Sequence, residues 1–318
     1  MKKFNIHFFK NRKIYFSISL ALIAVGLICN IIMGANLDIQ FRGGAIVKYS
    51  YTGAIDTDAV ADVSEEVSGD SVDVRIYENV QNDGEAAVNH VSISFVGNQS
   101  ISLENQKKIQ ESLSAKYPDA GFELVESSSV NPTMGQQFFA KCLIAVAITF
   151  LFLIIYVALR FKKIGGASAG IMAIIALLHD VSIIYFVFVI FRLPINDSFI
   201  AVVLTILGYS LNNTIVVYDR VRENRKLMGP KASVEELVDA SINQTLTRSI
   251  NTSLCTFVAI AAVYVVGIIY GLESVSLFAL PMMIGVAVGC YSSVCLAGPL
   301  YVMWQNHKSK KRQAAAEK

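Results

Sequence analysis

Charge is scarce in this sequence, and its cysteines follow no pattern. Only 16% of the 318 residues are Asp, Glu, Lys or Arg, against 54% hydrophobic residues. A soluble domain carries about 25% charged and about 45–50% apolar residues. Cys29, Cys142, Cys255, Cys290 and Cys295 all fall inside apolar runs without metal-ligand spacing, so they read as small buried hydrophobes. Cys290 and Cys295 are off the i, i+4 face of a helix, which argues against a disulfide. There is no zinc motif, phosphate loop, nucleophile elbow or glycine-rich dinucleotide fingerprint. Together these absences leave the conventional soluble-enzyme chemistries without a foothold. No enzyme activity, cofactor, metal or nucleic-acid partner is expected.

What is present is apolar sequence gathered into long runs, the mark of an integral membrane protein. The first, 14–33, follows Lys2, Lys3, Lys10, Arg12 and Lys13. It exceeds the about 7–15 apolar residues of a secretory signal, so it is expected to be a retained helix. Further runs lie at 139–159, 166–191, 198–218, 252–271 and 275–304, each near the ~20 residues that cross a bilayer. With the N-terminus inside, cytoplasmic segments hold 5 (N-terminal tail), 3 (160–164), 6 (219–250) and 5 (C-terminal tail) Lys/Arg, 19 of 27. The positive-inside rule therefore predicts that both termini face the cytoplasm. The expected division is 1–35 for the tail and first span, 36–136 for one extracytoplasmic domain, 137–305 for spans two to six, and 306–318 for a basic tail.

Residues 36–136 carry eight Asp and eight Glu against six Lys/Arg, a net of −10. Their periodicity predicts strand 45–52, helix 56–68, strands 72–80 and 88–97, helix 101–117 and strand 121–130. Asp56 and Ser102 are the expected N-caps. The order βαββαβ predicts a ferredoxin-like α+β domain set between the first two of six transmembrane helices. In the cytoplasmic loop 219–250, "SVEE" (233–236) matches a capping box, and Val234, Leu237, Val238 and Ile242 line one helix face. An amphipathic helix on the membrane surface or against a partner is expected there.

Polar residues inside the spans are the candidates for function, because an ionisable group at the helix centre costs about 2.5–3.5 kcal/mol on insertion scales. His179 and Asp180 fall in the middle of the third span. Asn212 and Asn213 fall in the fourth, with Asp219 at its end. Gly208, Asn212 and Asp219 share a helix face by spacing, and Asn213 points about 100° away. Arg248 sits among Asn243, Gln244, Thr245, Thr247, Asn251 and Thr252, a density that suggests a buried network. An intramembrane Asn is equally readable as interhelical glue. Glu273, in the loop before the last span, is expected to be solvated. "GGASAG" (165–170) and "GVAVG" (285–289) read as close-packing faces, and Pro281 as a kink.

Five motifs in order resemble the SecD/SecF family of protein-export membrane proteins, of the RND class: "LDIQFRGG" (37–44), "ALLHDV" (176–181), "GYSLNNTIVVYDRVREN" (208–224), "QTLTRSINTSL" (244–254) and "GCYSSVCLAGPL" (289–300). The resemblance covers nearly the whole chain. It implies structural roles for Asp38, Gly43, Gly44, Pro132, Gly135 and Gly208, and an ion path through Asp180, Asn212, Asn213, Asp219 and Arg248. The partners it implies are a SecD-like six-span subunit, the SecYEG channel with its motor ATPase, unfolded exported polypeptides and membrane lipid, all at the bacterial cytoplasmic membrane. The implied function is ion-driven assistance to protein export. A self-contained exporter of small molecules or lipids, and an uncoupled scaffold, stand as alternatives.

Two positions depart from the family pattern. Asn213 stands where the family usually has an Asp credited with carrying the proton, and an amide cannot relay by protonation. Either the partner's carboxylate carries the proton, or Asp180 has taken over, or the chain is uncoupled. Asn131 stands where a Gly is usual before Pro132, at the junction from strand to membrane.

Overall fold

A computed structural model describes residues 6–77, 88–95, 101–164, 166–229 and 232–316. In chain order the elements are α1 (Arg12–Met33), the single turn α2 (Ile39–Arg42), β1 (Gly44–Thr52), α3 (Thr57–Ser68), β2 (Val72–Tyr77), β3 (Val88–Phe95), α4 (Leu103–Lys116) and β4 (Glu123–Val130). The membrane part continues with α5 (Pro132–Arg160), α6 (Gly166–Ile190), α7 (Asp197–Leu227), α8 (Val234–Ile269) and α9 (Glu273–Tyr291). It closes with a π-helical turn (Ser292–Ala297) and α10 (Gly298–Ala316). Among the described residues, six helical stretches are long and apolar enough to cross a membrane, the sixth running through α9, the π turn and α10. The expected strand ends at 78–80 and 96–97, and Lys2, Lys3 and Lys318, lie outside the described residues.

The four strands form one sheet in the order β2-β3-β1-β4, all neighbours antiparallel. Strand alternation splits its two faces. Val47, Tyr49, Tyr51, Val91 and Ile93 are buried with Val60 of α3 and with Ile109 and Leu113 of α4. Asp56 and Ser102 cap those two helices, accepting from the backbone N–H of Asp58 and Asn105. The opposite face, with Lys48, Arg75, Ser92, Ser94 and Glu126, turns toward the membrane helices and encloses a polar chamber of about 290 Å³ with Asn196, Asp197 and Glu273. Glu273 is therefore not simply solvated: its carboxylate lies 3.3 Å from Lys48 Nζ.

The "LDIQFRGG" stretch joins sheet and membrane. Leu37 bridges Ile195 in parallel, and Asp38 caps α2 by accepting from Gln40 N–H at 2.9 Å. Phe41 is buried against Phe138 and Phe139 of α5. Gly43 has φ +84°, and a Cβ there would lie 2.5 Å from the Pro132 Cα, so a side chain is excluded by backbone conformation and by space. Asn131 starts α5 as its N-cap, accepting from Thr133 N–H at 2.9 Å, with Pro132 in the first turn.

The expectations for 219–250 are corrected. The segment 219–250 is not a loop carrying a separate surface helix: α7 runs on to Leu227, and α8 is one unbroken 36-residue helix from Val234. The Ser233–Glu236 capping box forms at its start, and no proline interrupts the run to the membrane. The apolar face Leu237, Val238 and Ile242 is buried in the protein core, with Val238 and Ile242 packed against Gly298. Pro281 lies inside α9, and a π turn follows eleven residues later.

Candidate functional site

The interior of the helical part is built from α6, α7 and α9, brought close by glycine. A Cβ on Gly285 would meet Ile206 at 2.6 Å and Ile184 at 2.8 Å; one on Gly289 would meet Ser210 Cβ at 3.0 Å. At this crossing Asp180 is fully buried, at 0% exposure. Its Oδ2 accepts hydrogen bonds from the hydroxyls of Ser210 (2.5 Å) and Ser292 (2.7 Å), and His179 Nδ1 lies 3.0 Å from Oδ1. The single Ser293 hydroxyl hydrogen is within reach of the carbonyls of Gly289 (2.8 Å) and Ser210 (3.0 Å), and Thr214 donates to Ser293 (3.0 Å). The carboxylate is thus held by three separate segments inside the bilayer span.

Local conformation explains the convergence. Ser210, Asn213, Thr214 and Val217 recur at the i, i+3, i+4, i+7 spacing of one helix face, and all four are buried. The adjacent Ser292 and Ser293 open the π turn, each 0% exposed. Such turns concentrate at functional sites. Hydrogen bonds to a charged acceptor are worth about 1.5–3 kcal/mol each, enough for the cluster to offset the cost of placing Asp180 in the membrane. His179 Nε2, Asn213 Nδ2 and Ser249 Oγ are buried without a protein hydrogen-bond partner.

The other expected site residues are not gathered here. Asn212 and Gly208 lie on the exposed side of α7, and a Cβ on Gly208 would touch nothing within 4 Å. Arg248 is likewise exposed, on α8, rather than part of a buried network. Asp219 sits just past two-thirds of the way along α7 in ion pairs with Arg160 and Arg222, both at 3.0 Å. Asp38, Gly43, Gly44, Pro132 and Gly135 meet at the junction of sheet and membrane; a Cβ on Gly44 would lie 2.3 Å from the Phe95 carbonyl, and one on Gly135 3.1 Å from Gly43 N.

Residues 109–307 match the family described as protein export membrane protein SecD/SecF, C-terminal. The chain belongs to the SecD/SecF family. It is 30% identical over 304 residues to the protein translocase subunit SecF of Sebaldella termitidis, covering 96% of this chain and 93% of that one. It is 33% identical over 309 residues to the protein translocase subunit SecDF of Bacillus subtilis, of which it spans 39%. The crystal structure of SecDF from Thermus thermophilus, a translocon-associated membrane protein, superposes with a TM-score of 0.78 at 28% identity over 95% of this chain and 39% of that one. Against SecDF proteins, then, this SecD/SecF-family chain spans about two-fifths of the length. It is a multi-pass membrane protein.

Of the groups around Asp180 in this SecD/SecF-family chain, sequence reading singled out His179 and Asn213 and missed the serines. "GCYSSVCLAGPL" contains Ser292 and Ser293 but gives no sign of the π turn that carries Ser292 to the carboxylate and Ser293 to the Ser210 carbonyl. Ser210 was readable in principle: it is two residues before Asn212, on the opposite face from it.

Proposed function

We propose that this chain is the SecF-type accessory subunit of protein export and that Asp180 is its ion-coupling carboxylate. The observation that carries this reading is a fully buried acid held between α6, α7 and the π turn by two serine hydroxyls. Protonation of Asp180 turns an acceptor-only carboxylate into a group with a donor of its own. Protonation also removes the charge that strengthens the hydrogen bonds donated to Oδ2 by the hydroxyls of Ser210 and Ser292, so both are weakened together. Titration is thereby tied to the packing of three helices, which is the requirement for converting ion movement into motion. The unpartnered polar atoms of His179 and Asn213 extend the cluster along a polar route. The amide at 213 serves as a hydrogen-bonding member of that route, without a proton of its own to exchange.

In this reading the acidic sheet domain faces outward from the cytoplasmic membrane, both termini are cytoplasmic, and the divisions lie at 36–136 and 137–305. The strand order β2-β3-β1-β4 with its two helices on one face supports a ferredoxin-like unit. The relatives named SecDF support a SecD-like partner. Its seat is the polar stripe of Gly208 and Asn212 on α7, with Arg248 on α8, which is costly to leave against lipid. The SecYEG channel, its motor ATPase and the unfolded polypeptides in transit complete the assembly.

The test is ion flux. The chain and its six-span partner are reconstituted in vesicles, a membrane potential is imposed, and internal pH is followed. Asp180→Asn keeps the shape and removes the titrating group; it is expected to reduce proton entry to the leak of empty vesicles. Wild-type flux persisting in Asp180→Asn, with its loss on replacing a carboxylate of the partner, would move the coupling site out of this chain.

A further inference from the structure

A second pocket lies between α1 and α5, floored by α6 and by Phe199, Ile200 and Val203 of α7, on the half nearer the sheet domain. Its volume is about 370 Å³. The walls are apolar, with Leu27 from α1, Leu143 and Val146 from α5, and Phe186 from α6. Three polar side chains interrupt them: Ser182, whose hydroxyl donates to the Leu178 carbonyl at 2.8 Å, and the pair in which Tyr185 donates to Asn30 Oδ1 at 2.7 Å. With Oδ1 occupied, the Asn30 amide nitrogen is left as the donor.

Both the α1 wall and the α6 floor lead to one cation. From Leu27 and Asn30 the same face of α1 continues to Met33, whose carbonyl accepts from Arg192 Nη1 at 2.5 Å. From Tyr185 and Phe186 the floor continues past the end of α6 to Arg192 itself. Arg192 is the only Lys or Arg between Lys163 and Arg220. It is also, among the described residues, the only non-glycine residue in the left-handed region, at φ +55°. That conformation costs an arginine about 1–3 kcal/mol and persists where the surroundings or function hold it. The Met33 bond uses one of five guanidinium N–H groups and leaves others to donate.

We propose that this groove is a binding site for a glycerophospholipid of the leaflet on the sheet-domain side. One acyl chain fills the cavity, the Asn30 amide donates to an ester carbonyl, and Arg192 binds the phosphate. Apolar groove, neutral donor and cation follow one another in the order in which a phospholipid presents acyl chain, ester and phosphate. A groove open to the bilayer meets lipid at far higher concentration than any other apolar ligand. Phosphate recognition by guanidinium supplies the selectivity over a bare hydrocarbon.

The experiment uses the full chain in nanodiscs doped with phosphatidylethanolamine carrying a diazirine in one acyl chain. After irradiation, adducts are mapped by peptide mass spectrometry. The expected result is adducts concentrated on Leu143, Val146 and Phe186. Val146→Trp, which fills the groove, and Arg192→Asn, which removes the charge while tolerating the left-handed backbone, each reduce them about tenfold, the size of one charge-assisted hydrogen bond. If Val146→Trp does not fold, Leu143→Trp at the exposed groove edge replaces it. A diazirine fatty alcohol, which has no phosphate, labels wild type and Arg192→Asn alike. Adducts spread evenly over the lipid-facing helices overturn the proposal, as does phospholipid labelling that Arg192→Asn leaves unchanged. Labelling that vanishes on adding the six-span partner overturns it too, and assigns the groove to a protein helix.

Discussion

Lys48, in the central strand β1, stands between two carboxylates, 3.2 Å from Glu126 in its own sheet and 3.3 Å from Glu273 at the start of α9. The second of these pairs ties the sheet domain to the helix that ends in the π turn beside Asp180. Burial pulls the Lys48 ammonium down, but Glu273 and Glu126 outweigh it and hold it above its ordinary value.

Glu273→Gln is expected to loosen that tie while leaving both parts folded. The pair is partly exposed, so the loss in overall stability should be below about 1 kcal/mol. Hydrogen exchange over 44–52 is the sensitive readout: it should accelerate in Glu273→Gln. Unchanged exchange would show that the sheet is seated by other contacts. Because the Lys48 value is raised, its contribution is complete at neutral pH and is lost only as pH climbs through that raised value.

Asp38 gives a pH dependence of the opposite utility, within reach of ordinary buffers. Burial raises its carboxyl above the usual range, with the Gln40 N–H and Arg75 opposing the shift. A raised folded value means that the protonated form is favoured by the fold. Stability from this site is therefore greatest below the unfolded Asp value of about 3.9 and falls as pH rises through the folded one. Asp38→Asn retains a good N-cap for α2 and removes the buried charge. Its melting temperature should exceed that of wild type at pH 7 and converge with it in acid.

Glycine substitutions separate packed from open helix faces. Gly285→Ala would push a methyl to 2.6 Å from Ile206 and is expected to cost about 1–3 kcal/mol, as overpacked sites do. Gly208→Ala meets nothing within 4 Å and should leave the isolated chain as stable or up to about 1 kcal/mol more so. If the Gly208 face seats the partner, Gly208→Leu will leave the chain folded but block its co-purification with the six-span subunit.

The cap of α5 offers a graded test of the junction. Asn131→Ala removes the acceptor for Thr133 N–H and should cost about 1 kcal/mol, whereas Asn131→Gly should cost only a few tenths. Thermal unfolding of the two variants side by side checks the order. Equal costs would mean that the junction is held by the Phe41–Phe139 contact alone.

Periodicity was enough for the sheet domain and for the number of spans. The helix starts at 57 and 103 follow caps at Asp56 and Ser102, and β1 to β4 begin within about two residues of their expected positions. Failures came where an answer depended on more than one segment. Arg248 and Asn212 look buried from local polarity, yet they lie on the surface of this chain, because burial depends on which helices surround α7 and α8. Glu273 looks solvated until the sheet is folded over it. The cage around Asp180 draws on residues up to 112 positions apart. Its key device, the π turn, arises from tertiary packing and has no signature in a single sequence.

The unbroken α8 has a mechanical consequence. At 1.5 Å per residue its 36 residues make a rod of about 54 Å, against a hydrocarbon layer of about 30 Å. Nearly half of it stands clear of the membrane on the side of the N-terminal tail, whose Phe9 N–H donates to Asp239 at 3.0 Å and whose Ile6 N–H donates to Asn243 at 3.0 Å. With no hinge between its two halves, the helix acts as a lever: whatever tilts it within the bilayer must swing the protruding arm and the chain terminus strapped to it. A tilt of the spanning half would thus be legible outside the bilayer as a displacement of Ile6 and Phe9.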